Sequence, residues 1–382
     1  MIDGLRLSIP QRMILLRITL IFSLIISIFL SLNLWGGYRT FPYTPILAKP
    51  LVIAPFDFIL SGLAILGWLC SLFLKKERLF IFLSFVLCLI LVLHDLNRLQ
   101  PWFFIYNSLL AVFIFYNGRV DDPNKFTSVF IIMQLIFASV YFYCGISQLN
   151  CNFIESTYAE IINPLKTLMS ERQFLFFKKM GVLVPYIFLF IGLGFTISPL
   201  RYLAITMAVC IHLLLLIFLF PSQKNTNYTL WFSNLSFIVM LTLLFSGKTK
   251  QRYFSPTFLF KMPLFYIVVA VFLMMPAFNV FNRWPDYLSS NFRSGNNSSA
   301  LIMLNQNVKQ KLPYYLRHFC EPRGDVYIFN FGRWSSHELH ADCYPERLVF
   351  NSIYNSILNS SGCGVKDLQL IVQPKTKLLC KP

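Results

Sequence analysis

Long apolar runs broken by short polar stretches organise this chain. A bilayer core of about 30 Å is crossed by roughly 20 apolar residues in helical form. Nine segments fit that length: 13–34, 52–73, 79–96, 101–117, 129–149, 181–199, 202–221, 228–246 and 264–282. The first lacks a small-residue cleavage site after it and reads as a retained span. Residues 150–180 mix apolar positions with Glu155, Glu160, Lys166, Glu171 and Arg172. That mixture predicts an interfacial or re-entrant helix, set off from the next span by Lys178 and Lys179. Beyond residue 282 the pattern shortens. Alternating runs at 326–331 and 368–372 predict strands, and 346–358 predicts a helix. The expected fold is an all-α polytopic membrane bundle of about nine transmembrane helices (1–282) with a small extracytoplasmic α+β domain (283–382).

Composition agrees with this class. The chain is 56% hydrophobic and 13% charged, against about 25% charged in a soluble domain. In a soluble protein the net charge of +17 would point to nucleic acid. Here the basic residues lie mostly in short loops, where they set orientation and meet anionic lipid. With the N-terminus cytoplasmic, the inside loops carry 12 basic residues and the short outside loops carry 4: Arg39, Lys49, Arg98 and Lys224. Counting 150–180 as outside raises that number to 8. Nine spans then put the tail outside the cytoplasm. Membrane lipid is the expected partner and nucleic acid is not.

Cys70, Cys88, Cys144 and Cys210 lie within spans and read as packing residues. Cys320, Cys343, Cys363 and Cys380 fall in the last 63 residues. In an extracytoplasmic domain they predict one or two disulfides of open connectivity. A zinc site is the rival, but CxxC and HxxxH spacings are absent and no metal site is expected.

Polar groups at membrane depth are costly and mark candidate sites. The orientation above gathers them toward the outer side. His94, Asp95 and Arg98 end the third span, and Gln100 and Trp102 begin the fourth. Ser147, Gln148 and Asn150 end the fifth. His212 lies midway along the seventh, and Asn227, Trp231 and Asn234 begin the eighth. Bland readings stand beside each: aromatic-belt anchors for Trp35, Trp102 and Trp231, a snorkelling Arg98 or one that neutralises Asp95, and interhelical glue for His212. Together they predict an outward pocket with an apolar floor and a polar mouth, suited to a quinone, a lipid or an apolar peptide.

These residues carry a resemblance. The chain resembles the horizontally transferred transmembrane (HTTM) group, related to the membrane domain of vitamin K-dependent gamma-glutamyl carboxylase. The matching stretches run in order over roughly 310 residues: Arg39-Thr-Phe-Pro; Asp95-Leu-Asn-Arg-Leu-Gln-Pro-Trp102; Tyr141-Phe-Tyr-Cys-Gly-Ile-Ser-Gln-Leu-Asn150; His212 with Pro221; Asn227, Trp231 and Asn234; Arg283-Trp-Pro-Asp-Tyr-Leu-Ser289 with Ser294-Gly-Asn296; and Tyr344-Pro-Glu-Arg347. The resemblance implies a scaffold for quinone chemistry, in which a desolvated Lys serves as initiating base. That Lys belongs to a Gly-x-x-Lys-Leu-Asp/Asn motif. Here the motif reads Gly145-Ile-Ser-Gln148-Leu-Asn150, and Gln148 cannot act as a base. The family's Asn-His pair gives way to Gln100-Pro101-Trp102. The tail is also too short for a large substrate-binding domain.

The first expectation is therefore a member without carboxylase activity, in a bacterial inner membrane, binding an amphiphile or a peptide partner. Its role would be accessory, in maturation or export of a secreted product. A second is a quinone-dependent oxidoreductase or carboxylase-like enzyme with His212 or His94 as base. A third is a transporter, although the chain shows no internal repeat. A bound quinone or lipid is expected only through the resemblance.

Overall fold

A computed structural model of the chain describes residues 7–37, 39–47, 56–115, 123–220, 227–245, 256–373 and 375. The helices that build the bundle are α1 (Ile9–Leu30), α2 (Phe56–Phe73), α3 (Glu77–His94), α4 (Pro101–Val112), α5 (Pro123–Gln148), α6 (Glu171–Met180), α7 (Leu183–Thr196), α8 (Arg201–Phe218), α9 (Tyr228–Phe245) and α10 (Pro263–Val268). All nine predicted segments are helical, but they are not nine equal spans. Among the described residues seven helices are long and apolar enough to cross a membrane, or eight if the bent pair α6 and α7 counts as one span. The segment 101–115 is apolar but short. Asn107 and Trp102 are buried in it, so it is packed among neighbours.

The bundle is apolar outward and polar inward. Phe22, Phe29, Phe58, Leu66, Phe82, Leu89, Leu203 and Ile217 are exposed on its flanks. Ser23, Ser27, Ser61, Ser84 and Ser236 are buried between helices. Lipid-facing helices gain nothing by hiding Leu from lipid, so they associate through small residues and interhelical hydrogen bonds. Ser23 Oγ donates to Ser236 Oγ across α1 and α9 at 3.0 Å. Ser84 Oγ donates to the Ala64 carbonyl across α3 and α2 at 2.9 Å. The helices α5 and α7 approach through glycines. A Cβ on Gly192 would sit 2.7 Å from the Phe142 nitrogen, and one on Gly145 would sit 2.8 Å from the Leu189 nitrogen.

The stretch 150–180 breaks into short turns that lead to α6. Ser170 and Gln173 form a capping box at the start of α6. This fixes a helix start where the sequence has S-x-x-Q. Leu168, Leu175, Phe176 and Phe177 are exposed. The axes of α6 and α7 differ by 40°, the geometry of either one broken span or a re-entrant segment.

After α10 the same apolar run loosens into a π-helical turn (Val269–Met274) and then tightens into 3-10 turns (Met275–Phe281). Pro276 lies at the change and cannot donate to the regular ladder. Such breaks often accompany sites.

The tail folds around a four-stranded antiparallel sheet: β1 (Ser299–Leu304), β2 (Cys320–Arg323), β3 (Val326–Phe329) and β4 (Leu368–Gln373), in the order β2-β3-β1-β4. Ala300, Ile302 and Leu304 alternate inward along β1. Helices α11 (Phe331–Leu339) and α12 (Arg347–Ser361) complete the layer. Val349, Phe350, Ile353 and Ile357 form the buried stripe of α12, the helical period predicted from the sequence.

The expected tail disulfides are not formed among the described cysteines. Cys320, Cys343 and Cys363 are free thiols. Each turns to a local carbonyl: Leu316 at 3.9 Å, Tyr344 at 3.7 Å and Ser361 at 3.6 Å respectively. Cys380 lies outside the described residues. Cys151, which the sequence reading passed over, is disulfide-bonded.

Candidate functional site

Most of the polar residues singled out in the sequence fall in four clusters. The first joins the loop after α1 to the turn after α3. Asp95 and Arg98 are wholly buried, but they do not pair with each other. Asp95 pairs with Arg39, and Arg98 pairs with Asp57 of α2; all four side chains are fully enclosed. Asp95 Oδ1 also accepts from the Thr44 nitrogen at 3.2 Å and from Asn97 Nδ2 at 3.1 Å. Arg98 Nε donates to the Leu34 carbonyl at 2.8 Å and Nη1 to the Leu91 carbonyl at 3.2 Å. The Tyr43 ring lies 3.9 Å from the Arg39 guanidinium carbon, and its hydroxyl lies 3.3 Å from Asp57 Oδ2. Arg98 therefore binds three helical segments together and does not snorkel. His94 is buried against the Tyr43 ring, with centroids 5.3 Å apart.

The second cluster is the seat of the tail. The Glu338 carboxylate accepts from Thr40 Oγ1 at 2.5 Å, from the Phe41 nitrogen at 3.0 Å, from Trp334 Nε1 at 2.7 Å, and from the Thr40 nitrogen. Gln100 Nε2 donates to the Asp342 carbonyl at 2.8 Å, and Asn97 Oδ1 accepts from the Tyr344 nitrogen at 3.2 Å. Thr229 Oγ1 donates to the His340 carbonyl at 3.2 Å. The tail thus caps the bundle over the loop after α1, the turn after α3 and the start of α9. Trp35 and Trp102 lie buried beneath, with ring centroids 6.1 Å apart; they are core residues, not belt anchors. Asn227 caps α9 by accepting from the Leu230 nitrogen at 3.0 Å. Trp231 Nε1 donates to the Leu216 carbonyl at 2.9 Å, which ties α9 to α8.

The third cluster crosses α5, α8 and α9. The Tyr141 hydroxyl bonds to His212 Nε2, and His212 Nδ1 lies 2.8 Å from Asn234 Oδ1. Asn234 Nδ2 donates to the Leu230 carbonyl at 2.8 Å. That bond orients the amide with its oxygen toward the ring, so Nδ1 carries the proton and Nε2 accepts from tyrosine. Three helices are linked by one fully partnered chain.

The fourth cluster surrounds the end of α5. Asn150 Nδ2 donates to the carbonyls of Ser147 and Ser294, each at 2.8 Å, and its Oδ1 accepts from the Phe153 nitrogen at 2.9 Å. Across from it, the loop 282–298 is tied around Asp286. Asp286 accepts from Asn279 Nδ2 and Asn291 Nδ2, each at 2.9 Å, from the Ser298 nitrogen at 3.0 Å, and from Lys375. Gly295 has φ +73° and lies against the backbone of Phe153, so a side chain there would be both strained and crowded. Gln148 is almost idle. Its Oε1 has no hydrogen-bond partner and its Nε2 reaches only the Cys144 sulfur, at 3.4 Å.

Between α5 and this loop lies a small crevice with about 20 Å³ of interior space, open on one side, lined by Tyr143, Ile146, Ser147, Pro276, Asn279, Val280, Ser289 and Asn296. Ile146, Pro276 and Val280 supply its apolar part. Of the pocket candidates named from the sequence, only Ser147 lines it. Asp95, Arg98, Gln100, Trp102, Gln148, Asn150, His212, Asn227, Trp231 and Asn234 stand elsewhere, most of them partnered within the protein.

Sequence reasoning missed Asp57, Tyr43 and Glu338. Asp57 carried a usable signal, an acid inside an apolar run. Glu338 carried none, since its role depends on how the tail docks. No family model matches this chain, and no curated protein or solved structure matches it.

Proposed function

We propose that the chain is a multi-pass membrane protein, tail outside, that holds an amphiphile in the crevice beside Ser147 and acts as an accessory in maturation or export of a secreted product. The observation that carries this reading is the crevice itself. It joins apolar Ile146, Pro276 and Val280 to polar Ser147, Asn279, Ser289 and Asn296. Its interior space is about 20 Å³, room for the tip of a polar headgroup and no more, with the rest of the amphiphile outside it. The disulfide at Cys151, beside the tail-capped end, supports an oxidising compartment there. Gln148 at the position of the carboxylase relatives' Lys supports a scaffold without that reaction.

The enzymatic reading with His212 as base is weaker. Both ring nitrogens already have protein partners, and His212 does not line the crevice. The proposed site is tested with a photoreactive diazirine lipid. Cross-links mapping to 143–147 and 276–296 support it, and cross-links spread evenly over the exposed flanks refute it.

A further inference from the structure

We infer that α6 is a docking surface for anionic phospholipid, with its phenylalanines among the acyl chains and its basic residues on the headgroup phosphates. The helix has ten residues, and none of them is buried against the protein. At about 100° per residue, Phe174, Phe176, Phe177 and Met180 share one face, with Gln173 among them. Glu171, Arg172, Lys178 and Lys179 share the opposite face, around Leu175. Phe176 is 60% exposed and Phe177 42%, so most of the apolar face lacks cover from the chain. An apolar face opposite a basic one is the pattern of a helix seated at a membrane surface.

Two observations identify lipid as the occupant. The first is continuity with the lipid-facing flank. Val182, Leu183 and Tyr186, where α7 begins, are exposed in the same way. Residues 181–200 hold no charge and are long enough to cross a bilayer core alone, so α6 is not needed inside it. Lys178 and Lys179 close α6 where that uncharged stretch begins. Ammonium groups are costly among acyl chains, which sets this point at the headgroups. Gly181 holds the bend there, since a side chain on it would run into the Tyr158 ring. The second observation is charge. Three basic residues against Glu171 leave α6 a net charge of +2. Among the described residues Arg172, Lys178 and Lys179 have no ion-pair partner. The helix dipole accounts for Lys178 and Lys179 in the last turn, but it disfavours Arg172 in the first. A layer of headgroup phosphates accounts for all three.

The test replaces Phe176 of the full chain with the photoreactive p-benzoylphenylalanine. The protein is reconstituted in phosphatidylcholine vesicles with a minor share of phosphatidylglycerol of matched acyl chains. After illumination, mass spectrometry identifies what is attached at position 176. Phosphatidylglycerol adducts should exceed that lipid's share of the vesicle about tenfold, the effect of one to two basic residues at an anionic surface. The same probe in place of Phe29, exposed on α1, should return the vesicle's own ratio. Arg172→Gln, Lys178→Gln and Lys179→Gln together should bring position 176 down to that ratio. None of the three is buried, so the variant should fold, and size exclusion checks this. Lipid adducts at 176 in the vesicle's own ratio overturn the anionic preference, as does enrichment that survives the triple variant. Adducts to this chain or to a second copy, in place of lipid, overturn the docking surface itself.

Discussion

Removing Asp57 should destabilise the protein strongly, because it strands the enclosed guanidinium of Arg98. Arg98 is fully enclosed, with Asp57, the Leu34 carbonyl and the Leu91 carbonyl as partners. Asp57→Ala leaves a buried guanidinium with two neutral carbonyls. Breaking a buried ion pair from one side costs about 3–5 kcal/mol. Replacing both members by apolar residues of similar size avoids the stranded charge and costs far less. The assay is thermal unfolding in detergent, followed by intrinsic tryptophan fluorescence. At about 2–4 °C per kcal/mol for a chain of this order, Asp57→Ala should lower the midpoint by roughly 6–20 °C. The double variant Asp57→Leu with Arg98→Met should recover most of that loss. A double-mutant cycle sharpens the claim: coupling between positions 98 and 57 should exceed that between 98 and 95, because Asp95 belongs to Arg39. A single variant within 1 kcal/mol of wild type, or a larger 98–95 coupling, refutes the assigned pairing.

Three further outcomes follow from the same contacts. Glu338→Gln removes the charge that gathers Thr40, Phe41 and Trp334, and should cost about 1–3 kcal/mol while speeding protease cleavage between bundle and tail. Gly192→Leu drives a side chain into the Phe142 backbone and should cost at least 1–3 kcal/mol by overpacking, read as lost expression of folded protein in fluorescence-detected size exclusion. Burial, with Asp286 nearby, raises the carboxyl of Glu346 above its ordinary value. The folded chain then holds that proton more tightly than the unfolded one, so stability declines as pH rises through the window between the two values. Glu346→Gln should flatten this decline in a denaturation series from pH 4 to 7, and an unchanged slope contradicts the assignment.

The bundle was readable in the sequence because lipid demands long apolar helices, and each of the nine runs is helical. Their lengths were less readable. The run at 101–117 gives an α-helix only to Val112 and a 3-10 turn to Phe115, and the run at 264–282 loosens after Val268 and tightens at Pro276, breaks that an unbroken apolar run conceals. Of the tail, β3, β4 and α12 were legible through alternation and a helical stripe, while β1 and β2 were not anticipated. The site was only half legible. The polar residues singled out within and beside the apolar runs are mostly buried, yet position along a run does not say whether they face a cavity or each other. Asp95 and Arg98, three residues apart, invite pairing, but the loop after α1 brings in Arg39 and α2 brings in Asp57. The crevice depends on a loop around Asp286 folding back against α5, a long-range contact with no local signature except Gly295.

The most direct test of amphiphile binding is native mass spectrometry of gently released wild-type protein beside Ser147→Phe, whose ring would fill the crevice. Wild type should carry an adduct in the mass range of a single lipid, and the variant, its fold confirmed by a cooperative unfolding transition, should lose it. An equal adduct on both proteins, or none on wild type, contradicts the account.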